Sequence, residues 1–336
     1  MSSPPPGPLA DIAEAGGLGL AVVDLDGGEV GAPASPGIVR LGISRAPAAP
    51  AIDAPAIDAA AFDLLLSADP AAPSPWVGVG PDRFDAATRS IETAVASQPV
   101  AAAVACQVLR ASLKLSFDES LAQESLAYSM LLASAGFASW RAAHPRRDRP
   151  DDPGPRVAVG RDAQGLSIRL TRPAARNAVD ARMRDALAEA LAFAVDDPDQ
   201  APVTLGGEGG SFCAGGDLDE FGSAADPGQA HAIRLLRSAT ALAHRLGRRL
   251  TVRAHGACIG AGIEIPAAAG RVVAASDAVF RLPEVGMGLI PGAGGTASIP
   301  RRIGRHRAAF MALSGWDVDA GTALAWGLVD AVEDRA

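Results

Sequence analysis

The chain has 336 residues, of which 49% are hydrophobic, 20% charged and only 4% aromatic, with a formal net charge of −8. That length suits two domains, the apolar fraction excludes wholesale disorder, and the acidic balance speaks against a general nucleic-acid or anionic-membrane binder. Cys106, Cys213 and Cys258 show neither pairing nor metal spacing, which fits a reduced, cytoplasmic interior. Residues 1–15 are Pro-rich without a basic start, so no signal peptide is expected. No apolar run approaches the ~20 residues that span a bilayer, so a soluble protein without a membrane partner is expected.

In chain order, residues 18–25, 38–43, 62–66 and 76–79 read as strands separated by Pro- and Ala-rich stretches, among them the run at 45–61. Helices are predicted over 83–97, 100–112 and 117–135. Phe84, Ala87, Ile91 and Val95 share one face of the first, and Ser116-x-x-Glu119 is a capping-box pattern opening the third. The stretch HPRRDRPDDPGP at 144–155 sets Arg146, Arg147 and Arg149 against Asp148, Asp151 and Asp152, with four prolines and nothing apolar to bury. Residues 145–155 therefore read as a linker between an N-terminal region, 1–144, and a core, 156–336.

Beyond the linker, strands and helices alternate, which argues an α/β fold. Residues 166–170, 203–205, 250–254 and 272–275 are predicted strands. The predicted helices are 180–195, 232–246 and 261–269. Met183, Leu187, Leu191 and Ala194 share a face of the first. The second turns Leu235, Ala239, Leu242 and Leu246 inward and Arg234, Arg237, Arg245 and Arg248 outward.

Three stretches carry chemistry. GGSFCAGGDLDEF at 209–221 is a small-residue loop whose amides can approach a ligand, with a helix expected to start at Leu218. HGACIGAGIEI at 255–265 sets Glu264 inside an apolar helix, where a carboxylate is costly unless paired or used. FRLPEVGMGLIPGAGGT at 280–296 places Glu284 just after Pro283, and its glycines lack the Lys-Ser/Thr step of a P-loop. Taken singly, each has a bland reading: an ordinary strand-to-helix loop, a buried hydrogen-bonded Glu, an exposed turn residue.

Together with RPAARNAV at 172–179, these motifs occur in an order that resembles the crotonase, or enoyl-CoA hydratase/isomerase, family over about residues 156–334. The resemblance implies a crotonase-like spiral of repeated ββα units. It implies an acyl-CoA thioester substrate, an oxyanion hole made by the amides of Gly216 and Ala261, and Glu264 and Glu284 as the catalytic pair. It nominates Arg172, Ala174, Arg176 and Asn177 for coenzyme A. No metal and no cofactor are expected beyond the coenzyme A that belongs to the substrate, and the partners implied are that thioester and further copies of the chain in a trimer-based homo-oligomer. Because both glutamates are present, hydration of a trans-2-enoyl-CoA to a 3-hydroxyacyl-CoA is favoured. The alternatives are double-bond isomerisation or other acyl-CoA enolate chemistry, and an inactive acyl-CoA-binding or scaffold paralogue. Ala269-Gly270 stands where the family often has Cys-Asp, and Ala261 replaces a commoner Gly.

The family's closing helical tail is expected beyond residue 330, where this sequence runs only to 336. Residues 82–141 resemble that tail, so 1–144 read as a shrunken second copy of the family without its oxyanion turns or glutamates. The rival is an unrelated helical domain. Of the other polar residues, His231, His244 and His306 are expected on the solvated surface. His255 is expected either near substrate or packed, and Cys213 has no base placed for it in sequence.

Overall fold

The computed structural model describes residues 17–27, 37–50, 58–148 and 153–334. The reading of residues 1–15, most of the centre of the Pro/Ala run and the middle of the linker lie outside them.

The N-terminal strands β1 (Gly19–Asp24), β2 (Ile38–Ser44), β3 (Leu64–Ser67) and β4 (Val77–Gly78) form an all-parallel sheet in sequential order. β3 is apolar at Leu64, Leu65 and Leu66, and β2 is interrupted only by Gly42 and the buried polar residues Arg40 and Ser44, because both faces are buried. Leu64 and Leu66 point into the main core with Leu41 and Ile43, whereas Leu65 joins Phe62 and Trp76 in a smaller cluster on the other face.

Four helices follow: α1 (Pro81–Ser97), α2 (Pro99–Ser112), α3 (Phe117–Leu132) and α4 (Ala135–Ala143). Pro81 and Pro99 open the first two, where the missing N–H costs nothing. The capping box of α3 closes in both directions, Ser116 N to Glu119 at 2.8 Å and Glu119 N to Ser116 at 3.3 Å. The helix expected over 117–135 ends at Leu132, and a further, unexpected helix follows because Ser134 accepts from Phe137 N and starts α4. No single described helix is long and apolar enough to cross a membrane.

In the core, β5 (Val157–Asp162), β6 (Gly165–Leu170), β7 (Val203–Gly207) and β8 (Leu250–Ala254) lie side by side, followed by β10 (Arg271–Ala275) and β13 (Ala331–Glu333). All neighbours are parallel except the β5–β6 hairpin. A small sheet stands apart, made of β9 (Ala257–Ile259), β11 (Val279–Arg281) and β12 (Val318–Asp319) in the order β12-β11-β9. The helices are α5 (Ala181–Val195), α6 (Pro227–Leu236), α7 (Ala239–Leu246), α8 (Ala261–Glu264), α9 (Gly295–Ser314) and α10 (Ala320–Trp326).

Several expected elements are redrawn. The helix over 232–246 is split into α6 and α7, because Ser238 caps the second by accepting from Ala241 N. The helix over 261–269 ends at Glu264 and passes into a 3₁₀ turn, Pro266–Ala268, since Pro266 cannot continue the ladder. No helix starts at Leu218, where the chain makes turns instead. His306, expected in solvent, is buried within α9, and burial lowers its pKa to about 3.

One continuous buried core includes Val39, Ile91, Leu109 and Leu121 from the first half of the chain and Val252, Ile299 and Phe310 from the second. Polar ties join the same surfaces. Arg305 donates to Phe62 O and Ala59 O, Arg301 donates to Leu115 O at 2.8 Å, and Trp316 Nε1 donates to Ser90 Oγ at 2.9 Å. α3 thereby lies against the start of α9, and that contact builds one wall of the site.

Candidate active site

Asn177 fixes the loop after β7. Its carbonyl accepts from Arg172 N, and its amide donates to the carbonyls of Glu208, Ser211 and Phe212 at 2.8–3.1 Å. With Ala214 N on Arg176 O, Val179 N on Gly215 O and Asp217 N on Val179 O, the strap 172–180 and the loop 208–217 are laced together. Gly216 is left between these bonds, and its N–H has no protein acceptor among the described residues. A side chain there would be crowded, since a Cβ would stand 2.5 Å from the Phe221 ring.

The second loop runs from β9 into α8. Gly260 caps α8 with φ 51°, a left-handed conformation that glycine adopts without penalty. Ala261 follows as the first helical residue, and its amide likewise has no protein acceptor among the described residues. Gly216 and Ala261 both line a cavity of about 560 Å³.

The carboxylates converge on Gly260. A Cβ on that residue would meet Glu284 Oε1 at 2.5 Å and Glu264 Oε1 at 3.6 Å, so the two acids stand side by side across it. Their environments differ. Glu264, 2% exposed, takes two hydrogen bonds on Oε2 from Ala293 N and Gly295 N, each 2.8 Å. Burial raises its pKa to about 7 against the pull of those donors. Glu284, 7% exposed, has no hydrogen-bond partner for Oε2. Burial, then the charge of Glu264, holds its carboxyl well above the usual range.

A third carboxylate, Glu124 of α3, went unpredicted. Its Oε1 accepts from Gly294 N at 2.6 Å, and its Oε2 accepts from Thr296 N at 2.8 Å and Thr296 Oγ1 at 2.7 Å. Four consecutive amides, Ala293 to Thr296, thus alternate between Glu264 and Glu124. Burial, then Glu264, pushes Glu124 up to about 8. Glu124 falls on the apolar face of α3 between Leu121 and Tyr128, and that misplaced charge was the available signal.

The nominated coenzyme A residues are dispersed along the strap. Ala174 and Arg176 are exposed, Asn177 is buried, and Arg172 pairs with Asp217 at 2.7 Å and with Asp180 at 3.4 Å. Cys213 is buried, and its thiol is pushed up to about 12, which leaves it protonated and unreactive. His255 is half-buried and outside the cavity wall, with Nε2 3.1 Å from Gly209 O. His231 meets Ser125 Oγ at 2.9 Å, and His244 stacks on Phe117.

Residues 161–336 match the family described as enoyl-CoA hydratase/isomerase. The chain is 36% identical over 173 residues to the mevalonyl-coenzyme A hydratase SIDH of Beauveria bassiana, which covers 49% of this chain and 62% of that protein. It is 34% identical over 177 residues to the 2,3-dehydroadipyl-CoA hydratase of Escherichia coli, covering 52% and 68%. The chain thus spans somewhat under two thirds of the length of the first of these. Among solved structures, a putative enoyl-CoA hydratase/isomerase from Mycobacterium abscessus superposes with a TM-score of 0.50 at 35% identity, over 53% of this chain and 71% of that one. An enoyl-CoA hydratase from Thermoplasma volcanium gives 0.50 at 32% identity, over 54% and 73%. The core has the crotonase fold, and the chain belongs to the enoyl-CoA hydratase/isomerase family.

Proposed function

We propose that the cavity binds a trans-2-enoyl-CoA and adds water across its double bond. The observation that carries this reading is the pairing of two unlike carboxylates across Gly260 with two unused amides on the same cavity. The thioester oxygen accepts from the N–H groups of Gly216 and Ala261. Each such donor is typically worth ~2.7–4 kcal/mol as charge develops. Glu264, whose ionised form is favoured by two backbone donors, takes a proton from water as the water oxygen bonds to C3. Glu284, kept protonated by burial, gives its proton to C2 as the enolate collapses. The net change is one water added. Proton return from Glu264 to Glu284 resets the site.

The names of the two relatives, both hydratases, favour hydration over isomerisation. We further propose that residues 1–144 are a shrunken second copy of the family whose helices stand in for the closing tail; Leu121, Glu124 and Tyr128 in the cavity wall support this. The test is to incubate the full chain with crotonyl-CoA in D₂O and analyse the product. 3-Hydroxybutyryl-CoA carrying one deuterium at C2 is expected. A product with a shifted double bond and no added oxygen would favour isomerisation, and no conversion across straight and branched enoyl-CoAs would favour an idle binding protein.

A further inference from the structure

Among the described residues, the arginines of the cavity wall are held in ion pairs, with one exception. Asp180 and Asp217 pair with Arg172, Arg184 pairs with Asp185 at 2.8 Å, and Arg237 pairs with Glu189 at 3.4 Å. Arg234 of α6 has no carboxylate within ion-pair distance among the described residues. Expected on the outward face of a single long helix, it turns instead against α3. Its Nε donates to Ser125 Oγ at 3.0 Å, and its Nη2 donates to Ser125 O at 3.2 Å and to Ser129 Oγ. Its guanidinium lies over the Tyr128 ring, 5.1 Å from the centroid.

These partners are neutral. They fix the guanidinium in place without cancelling its charge, and Nη1 has no protein acceptor among the described residues. Glu124 acts on Arg234 only at a distance: its oxygens accept from Gly294 and Thr296, and it forms no ion pair with the guanidinium. The Tyr128 phenol lies within electrostatic range of Arg234 and also of Glu264 and Glu284. The cation therefore shares the cavity with the reacting centre, and Leu121, Leu132 and Ile233 supply apolar wall to the same space. A partly desolvated guanidinium with no ion-pair partner and an unfilled Nη1 gains a charge-assisted hydrogen bond when a carboxylate enters.

Resting on the acyl-CoA reading of this cavity, we propose that it receives an acyl chain ending in a carboxylate and that Arg234 selects that carboxylate.

Dissociation constants for a matched saturated C6 pair, adipyl-CoA and hexanoyl-CoA, test this without turnover. The wild-type chain is expected to prefer adipyl-CoA by on the order of 10- to 100-fold, the range for one charge-assisted contact. The preference should fall to within about threefold in Arg234→Met and survive in part in Arg234→Lys. It should persist with the corresponding pantetheine thioesters, which lack the coenzyme A phosphates. The absence of any preference in the wild type overturns the proposal whether or not the variants fold. It is also overturned if Arg234→Met loses as much affinity for free coenzyme A as for adipyl-CoA, since Arg234 then reads a phosphate. Failure of the chain to hydrate the unsaturated C6 thioesters would count against the hydratase reading and leave this binding preference to be judged separately.

Discussion

Replacing Glu124 by Gln should damage the reaction from a helix that touches none of the reacting atoms. Glu124 accepts three hydrogen bonds, from Gly294 N, Thr296 N and Thr296 Oγ1. A glutamine offers one carbonyl oxygen. With that oxygen on Gly294 N, its NH₂ can donate to Thr296 Oγ1, but it then faces Thr296 N with donor against donor. One buried unsatisfied N–H costs about 1–3 kcal/mol. The alternating loop that presents Ala293 N and Gly295 N to Glu264 is expected to shift in response, and a displacement near 1 Å can cost ~10²-fold in rate. The expected result is kcat lowered by about 10- to 100-fold with KM changed much less. The pH profile gives a second readout. Glu124 raises Glu284, and Glu264 and Glu124 sit close enough to interact. Where Glu124 is ionised its charge raises Glu284, so Gln at this position should lower the Glu284 pKa and move the alkaline limb of the kcat/KM profile to lower pH. A folded Glu124→Gln protein with unchanged kcat and an unmoved alkaline limb would reduce Glu124 to a helix anchor and refute this reasoning.

Glu124, Glu264 and Glu284 all have folded pKa values above the ordinary carboxylate value, so the native state retains protons that the unfolded chain has released. Their stabilising contribution is complete below the unfolded value of 4.5 and is lost as pH rises through the folded values. The free energy of unfolding should therefore fall between about pH 5 and 8, by ~1.4 kcal/mol per pH unit for each retained proton, with Tm falling in step, and the fall should be shallower in Glu284→Gln; an equal slope in that variant would contradict the assignment. Ala261→Val should reduce turnover far more than it reduces Tm, whereas Ala261→Gly should be mild; equal loss of activity in both would point to helix packing and away from an amide donor. Gly260→Ala should abolish most activity, because its Cβ falls on Glu284 Oε1 at 2.5 Å and its φ is 51°; near-normal rates would show that the carboxylates do not need that spacing. Residues 156–336 expressed alone should aggregate, because α2 and α3 cover α9; a soluble, active fragment would show that the N-terminal helices are dispensable.

Where the sequence carried strong local signals, it was readable. The shared face of Phe84, Ala87, Ile91 and Val95 marked one helix, and Ser116 with Glu119 marked the start of another. The breaks at Ser134 and Ser238 were hidden because the apolar spacing carries on across them, leaving only a capping hydroxyl to end one helix and begin the next. β9, β11 and β12 have two or three residues each, too few for a period of two to register. Glu264 and Glu284 stood out as charges among apolar or turn residues. Glu124 could not be linked to them, because its partner loop lies 170 residues away. Arg234 was read as solvent-facing for a similar reason: its partners Ser125, Tyr128 and Ser129 belong to a helix that only the tertiary fold brings near.

The most direct test of the account is hydration of crotonyl-CoA by the full chain and by Glu264→Gln and Glu284→Gln, with thioester binding measured on the same preparations. Each substitution keeps the shape of the side chain while removing its proton transfer. The account predicts turnover lowered by ~10²–10⁴-fold in each variant, with thioester affinity largely retained. Near-wild-type turnover in either variant would contradict it.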